Sequence, residues 1–176
     1  MYLDVRNLRE EPRSFRLEVP VGKITWQHQE SVQVGKVHLE GQVVPAMDGL
    51  LLRGRLRAIA LIPCARCLEA FELPLDSNIM RVFVRDPVSG SSGGSEERKM
   101  QVEEIPLTSY DGRRIDLRSL AVEQIQLDLP LKPICREDCR GLCDQCGGNR
   151  NQVSCDCSHA PVDPRWAALE TFRRNS

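Results

Sequence analysis

Residues 37–62 read VHLEGQVVPAMDGLLLRGRLRAIALI, and the period of this stretch decides the fold class. Val37, Leu39, Gly41 and Val43 alternate with His38, Glu40 and Gln42, so a pleated strand carries the apolar set on one face. Residues 45–49 break the pattern, and Asp48-Gly49 is a turn signal. From Leu50 to Ile62 alternation resumes, with Arg53, Arg55 and Arg57 on one face and Leu52, Leu56 and Ala58 on the other. A long antiparallel hairpin is expected. Phe71, Leu73 and Leu75 extend the series, and a further strand is expected from about Ile79 to Arg85.

Downstream the character of the chain changes. Residues 86–100, DPVSGSSGGSEERKM, have the composition of a flexible loop. A short extended stretch around Val102 to Leu107 follows, then a turn at Asp111-Gly112. Asp116 is placed to cap a helix whose apolar stripe is Leu117, Leu120, Ala121, Gln124 and Ile125, and Pro130 and Pro133 stop it. Asp163 and Pro164 open a last helix with Trp166, Leu169 and Phe172 on one side, a packing face. The expected class is α+β. Residues 1–85 form an antiparallel β part, 86–100 the flexible loop, and 101–133 a strand and helix completing the domain; 134–176 form a cysteine-rich zinc-knuckle tail with a short C-terminal helix.

Of the 176 residues, 41% are hydrophobic and 28% charged, the balance of a globular protein. No apolar run reaches the length of about 18 that a membrane helix needs, and the first residues lack the apolar core of a signal peptide. A cytoplasmic location, with no membrane partner, is the expectation. A formal net charge of -1 argues against a protein that coats nucleic acid generally, so any such contact is local. The candidates are Arg53, Arg55 and Arg57 on one strand face, Arg113 and Arg114 at a turn, and Arg136, Arg140 and Arg150 in the tail. The alternative for each is a solvated charged face.

The eight cysteines fall in close pairs: Cys64 with Cys67, Cys135 with Cys139, Cys143 with Cys146, and Cys155 with Cys157. In a reducing compartment such pairs point to metal or redox chemistry rather than disulfides. Zinc takes four thiolates in a tetrahedron, and a C-x-x-C turn brings two of them to one ion. Two zinc ions are expected. A local site from Cys143, Cys146, Cys155 and Cys157 closes the shortest loop, leaving Cys64, Cys67, Cys135 and Cys139 as a long-range clamp. The rival grouping joins Cys135, Cys139, Cys143 and Cys146. His159 could replace a thiolate or be an ordinary surface histidine, and an iron-sulfur cluster is the competing metal group. Gly147, directly after Cys146, suits a turn needing positive φ, whereas Leu68 stands at the same place after Cys67. Filling two all-thiolate sites takes the formal charge from -1 to about -5, which weakens generic polyanion affinity further.

The combination of CARCL at 64–68, IDLRSLAVEQIQLDLPLKPIC at 115–135, CRGLCDQCGGNRN at 139–151, CDC at 155–157 and VDPRWAAL at 162–169 resembles the YceD-type large ribosomal RNA subunit accumulation proteins. The family often has proline where Asp144 stands here. The resemblance implies a non-catalytic role in large-subunit ribosomal RNA accumulation, processing and ribosome assembly. Its partners would be the precursor RNA, assembly proteins, or both. No nucleophile, paired acid and base, or phosphate-binding Gly-rich loop in the sequence points to an enzyme. A reading from another class is a thiol and zinc redox sensor or holdase-like protein.

Overall fold

A computed structural model describes residues 1–6, 8, 11–26, 30–46, 49–85 and 107–157. The expected turn at Asp48, the loop at 86–100, the extended stretch before Leu107, His159 and the last helix all fall wholly or mainly outside these residues. The chain divides into two units. One comprises Met1–Ile62 with Ala70–Pro133, and the other Pro63–Glu69 with Ile134–Ser176.

Among its described residues the first unit holds seven strands and one helix. These are β1 (Tyr2–Asp4), β2 (Arg13–Trp26), β3 (Glu30–Ala46), β4 (Gly49–Pro63), β5 (Ala70–Arg85), β6 (Leu107–Tyr110), β7 (Arg114–Asp116) and α1 (Leu117–Asp128). Strands β2-β3-β4-β5-β6 form one sheet in that order, while β1 and β7 form a separate two-stranded ribbon. The hairpin of β3 and β4 is antiparallel, with Val43 opposite Leu52 and Leu39 opposite Leu56. Alternation on β4 holds throughout: Leu52, Leu56, Ala58, Ala60 and Ile62 are buried, and Arg53, Arg55 and Arg57 are exposed.

On β3 the buried set changes parity, from Val43, Leu39 and Val37 to Val34 and Val32. The cause is a bulge: between Val34 and His38 the register against β4 slips. One extra residue on β3 turns every later side chain to the opposite face. β2 changes parity at the same level, from Val19 and Val21 to Ile24 and Trp26, where Gly22 takes φ 76°.

Two features depart from the sequence expectation. The segments around Phe71 and Ile79 form one continuous strand, β5, which passes through Pro74. Among the described residues its pairing with β6 runs over Val82–Arg85, and Pro74 lies outside that stretch, where a missing N–H is tolerated. The second departure is that β6 runs parallel to β5, in a sheet whose β2, β3 and β4 are antiparallel. Parallel pairing demands a long connection, and residues 86–106 supply the length.

Helix α1 begins where its cap dictates. Asp116 Oδ1 accepts from Arg118 N at 3.0 Å and from Ser119 N at 3.4 Å. Leu117, Leu120, Ala121 and Ile125 are buried, and the chain leaves the helix at Leu129, before Pro130. Gln126 Nε2 donates to Thr25 O on β2 at 2.7 Å, and Arg118 Nη2 to Val21 O at 3.2 Å. The helix therefore has polar ties to the sheet as well as an apolar face. No helix among the described residues is long and apolar enough to cross a membrane.

Candidate metal centres

The second unit is organised by turns around sulfur. In Cys64–Glu69 the Cys64 N–H donates to Glu69 O at 2.9 Å, and Leu68 N–H donates back to Cys64 O at 2.9 Å. In Cys143–Gly148 the Cys143 N–H donates to Gly148 O at 2.8 Å, and Gly147 N–H to Cys143 O at 2.9 Å. The two C-x-x-C segments thus fold into the same knuckle. In each, the residue after the second cysteine is left-handed: φ is 70° at Gly147 and 62° at Leu68. Leucine there is strained, because its Cβ crowds the backbone in a way glycine avoids.

The structure sets the eight sulfurs in two fours. Cys64, Cys67, Cys135 and Cys139 make one group, and Cys143, Cys146, Cys155 and Cys157 the other, with the sulfurs of each group all within 4.8 Å of one another. The rival cluster of Cys135, Cys139, Cys143 and Cys146 does not form. Cys64 Sγ stands 3.9 Å from Cys139 Sγ, and Cys67 Sγ 3.8 Å from Cys135 Sγ. A disulfide would put sulfurs at about 2.05 Å, and all eight cysteines are free. A tetrahedral ion with thiolate bonds of about 2.3 Å has sulfur-sulfur edges of about 3.8 Å. Either group could therefore hold one metal ion.

The electrostatics of the donor set agree with that geometry. Burial pushes the Cys64 thiol up, but N–H groups of Cys67, Arg66 and Cys135 aimed at its sulfur outweigh this and bring its pKa down to about 6. N–H groups of Cys146 and Gln145 likewise hold Cys143 at about 6. At the other extreme, burial and the neighbouring sulfurs push Cys135 up to about 12, and the neighbouring sulfur of Cys146, with burial, does the same to Cys157. Four sulfurs this close cannot all carry negative charge alone. A divalent cation supplies the missing attraction, so the shells fit a metal.

The first group is the more deeply set. Cys64, Cys67 and Cys139 are buried and Cys135 half-buried, whereas Cys146 and Cys157 of the second are exposed. The first group also has a supporting layer. Asn151 Nδ2 donates to Cys139 Sγ at 3.4 Å, and its Oδ1 accepts from Arg140 N and from Arg136 Nη2, both at 2.9 Å. Arg66 Nη1 donates to the carbonyls of Glu137 at 3.1 Å and Cys139 at 3.0 Å. Sequence reasoning missed both roles. The only signal for Asn151 was its place in the GGNRN run after the second knuckle.

A family description, Large ribosomal RNA subunit accumulation protein YceD, matches residues 52–173. The chain belongs to the YceD family. All eight cysteines lie within the matched stretch. An uncharacterized protein of Mycobacterium tuberculosis is 31% identical over 140 residues, covering 74% of this chain and 59% of that protein. A chloroplastic protein of Arabidopsis thaliana, named Large ribosomal RNA subunit accumulation protein YCED homolog 1, is 23% identical over 155 residues, 78% of this chain and 48% of its own length. Its namesake in Zea mays is 25% identical over 128 residues, 61% of this chain and 44% of its own length. The chain thus spans between two fifths and three fifths of the length of these relatives. No solved structure matches it.

The arginines of this YceD-family chain are unequally engaged. Arg55 forms a two-pronged pair with Asp76, Nε at 2.6 Å and Nη2 at 2.7 Å, and Arg57 Nη2 meets Glu40 at 3.0 Å. Arg114 pairs with Asp111 at 3.5 Å, and Arg136 with Asp138 at 3.4 Å. Arg53, Arg113, Arg140 and Arg150 have no ion-pair partner among the described residues.

Proposed function

We propose that this chain is a non-catalytic factor for large-subunit ribosomal RNA accumulation and ribosome assembly, and that two structural zinc ions hold its second unit together. The observation that carries the reading is the coincidence, within one family match, of two four-sulfur shells of single-ion dimensions. Cys64, Cys67, Cys135 and Cys139 hold one ion, and Cys143, Cys146, Cys155 and Cys157 the other. A bound zinc supplies charge compensation and cross-linking. Four thiolates complete its shell, which leaves no position for a reactive water. A four-iron cluster fits these groups poorly, because it places each thiolate on a different iron and so spreads the sulfurs wider.

The large-subunit role draws on the name shared by the family description and the plant relatives. Depletion of the protein should lower mature large-subunit RNA and raise its precursors, and the protein should sediment with precursor particles. Unchanged RNA levels would overturn the assignment.

A second reading has its own observation. Exposure of Cys146 and Cys157 leaves the second group within reach of oxidants, as a thiol and zinc redox sensor or holdase requires. Mild peroxide would then release about one zinc per chain and switch on a new activity, whereas a purely structural pair of sites retains both ions.

A further inference from the structure

On the first unit, the β1–β7 ribbon presents Tyr2 and Asp4 together with Arg114 and Asp116 on the face opposite buried Leu3 and Ile115. Tyr2 is 56% exposed, and the guanidinium of Arg114 lies 4.3 Å from its ring centroid. Two hollows, of about 360 and 390 Å³, share Tyr2, Asp111 and Arg114. The 360 Å³ hollow also has Phe83, Tyr110 and Ser119 in its wall, the two aromatic rings meeting edge to face at 6.4 Å, and the 390 Å³ hollow adds Asp4, Arg6 and Arg113.

Around this platform charge is gathered. Asp111 Oδ1 accepts from the N–H groups of Arg113 at 2.8 Å and Arg114 at 2.9 Å, so its carboxylate is used in holding the turn that presents both arginines. Arg85 leans over the same turn: a Cβ on Gly112 would stand 2.7 Å from its Nε. Asp4 is engaged by Arg6 through both carboxylate oxygens, at 3.1 and 3.0 Å from Nε. Arg85 and Arg113, exposed and with no ion-pair partner among the described residues, remain available. A chain of net charge -1 therefore has a local arginine cluster interleaved with an exposed aromatic ring.

We propose that this face binds single-stranded RNA, with Tyr2 stacking on a base and Arg85 and Arg113 taking neighbouring phosphates. The inference rests on the ribosomal reading for the kind of polymer, and on this surface for the place of contact. Arg114 packs its guanidinium over one face of the ring. Stacking on an aromatic face tolerates any base, and arginine adds phosphate contacts and salt dependence. An acidic peptide would satisfy the arginines but gives Tyr2 nothing to do, which separates the two occupants.

The test is fluorescence anisotropy of a labelled single-stranded RNA of about 12 nucleotides with the full chain, titrated with salt. The wild type should bind. Tyr2→Ala should weaken binding about tenfold while Tyr2→Phe binds as the wild type does. Arg85→Glu/Arg113→Glu should weaken binding strongly and flatten its salt dependence. Tyr2 is exposed, and unchanged melting of each variant shows that folding is intact. Wild-type affinity in Tyr2→Ala or in the double variant, or no binding by the wild type, overturns the proposal. If the wild type ignores RNA yet sediments with large-subunit precursors, this surface assignment falls and the assembly role stands.

Discussion

Cys64 and Cys139 are 75 positions apart in the chain, yet their sulfurs are 3.9 Å apart. A segment between β4 and β5 and a segment beyond α1 therefore share one group of donors. Each segment supplies two sulfurs, and loss of any one of the four leaves three, one bond short of a closed tetrahedron. Cys67→Ser should release about one of two zinc ions and leave the Cys143 group loaded, read by elemental analysis and chelator competition. Emptying of the Cys143 group instead would contradict the division of ligands.

Leu68 occupies the left-handed place that Gly147 fills in the other knuckle. Its side chain is 65% exposed, so little packing is at stake. Leu68→Gly should relieve roughly 1 kcal/mol of backbone strain, partly offset by glycine's greater freedom when unfolded. The net expectation is a more stable second unit with slower metal loss to a chelator. Gly147→Ala should do the opposite, and equal melting of both variants would show that the shared knuckle geometry has no energetic consequence.

Asn151 ties Cys139 Sγ to the backbone of Arg140 and the side chain of Arg136. Removing such a ligand partner usually costs 10–100-fold in metal affinity, about that much being expected for Asn151→Ala at the first site. The second site should keep its affinity. Zinc competition with a chromophoric chelator resolves the two.

Asp116 links stability to acid. Burial tends to raise its pKa, but the N–H groups of Ser119 and Arg118 pull it below the ordinary carboxylate value. A carboxylate whose folded pKa is depressed contributes fully above its unfolded pKa, about 3.9, and the contribution is lost as pH falls through the folded value. Asp116→Ala should cost about 1 kcal/mol at neutral pH. Asp116→Asn keeps an acceptor oxygen without titrating, so its acid unfolding should show less pH dependence. Identical acid transitions in Asp116→Asn and wild type would remove the cap from the acid response.

What the sequence shows most clearly is local. The hairpin of β3 and β4 and the Asp116 cap are written in alternation and in one residue type at one place. Nonlocal pairing is less legible. β2 is not legible because its inward set changes parity at Gly22, and β5 reads as two segments, Phe71 to Leu75 and Ile79 to Arg85, where the chain makes one strand. Parallel attachment of β6 depends on its partner, which no local pattern names. At the candidate metal centres, spacing suggested which sulfurs meet through loop length. It did not reveal Asn151 or Arg66, whose roles exist only once distant carbonyls and sulfurs are in place.

The most direct measurement is the metal content of the purified chain, wild type beside Cys67→Ser and Cys146→Ser. About two zinc ions are expected in the wild type and about one in each variant, with the double variant empty. Iron in place of zinc, a single ion in the wild type, or loss of the same ion from both variants would contradict the assignment of two separate zinc sites.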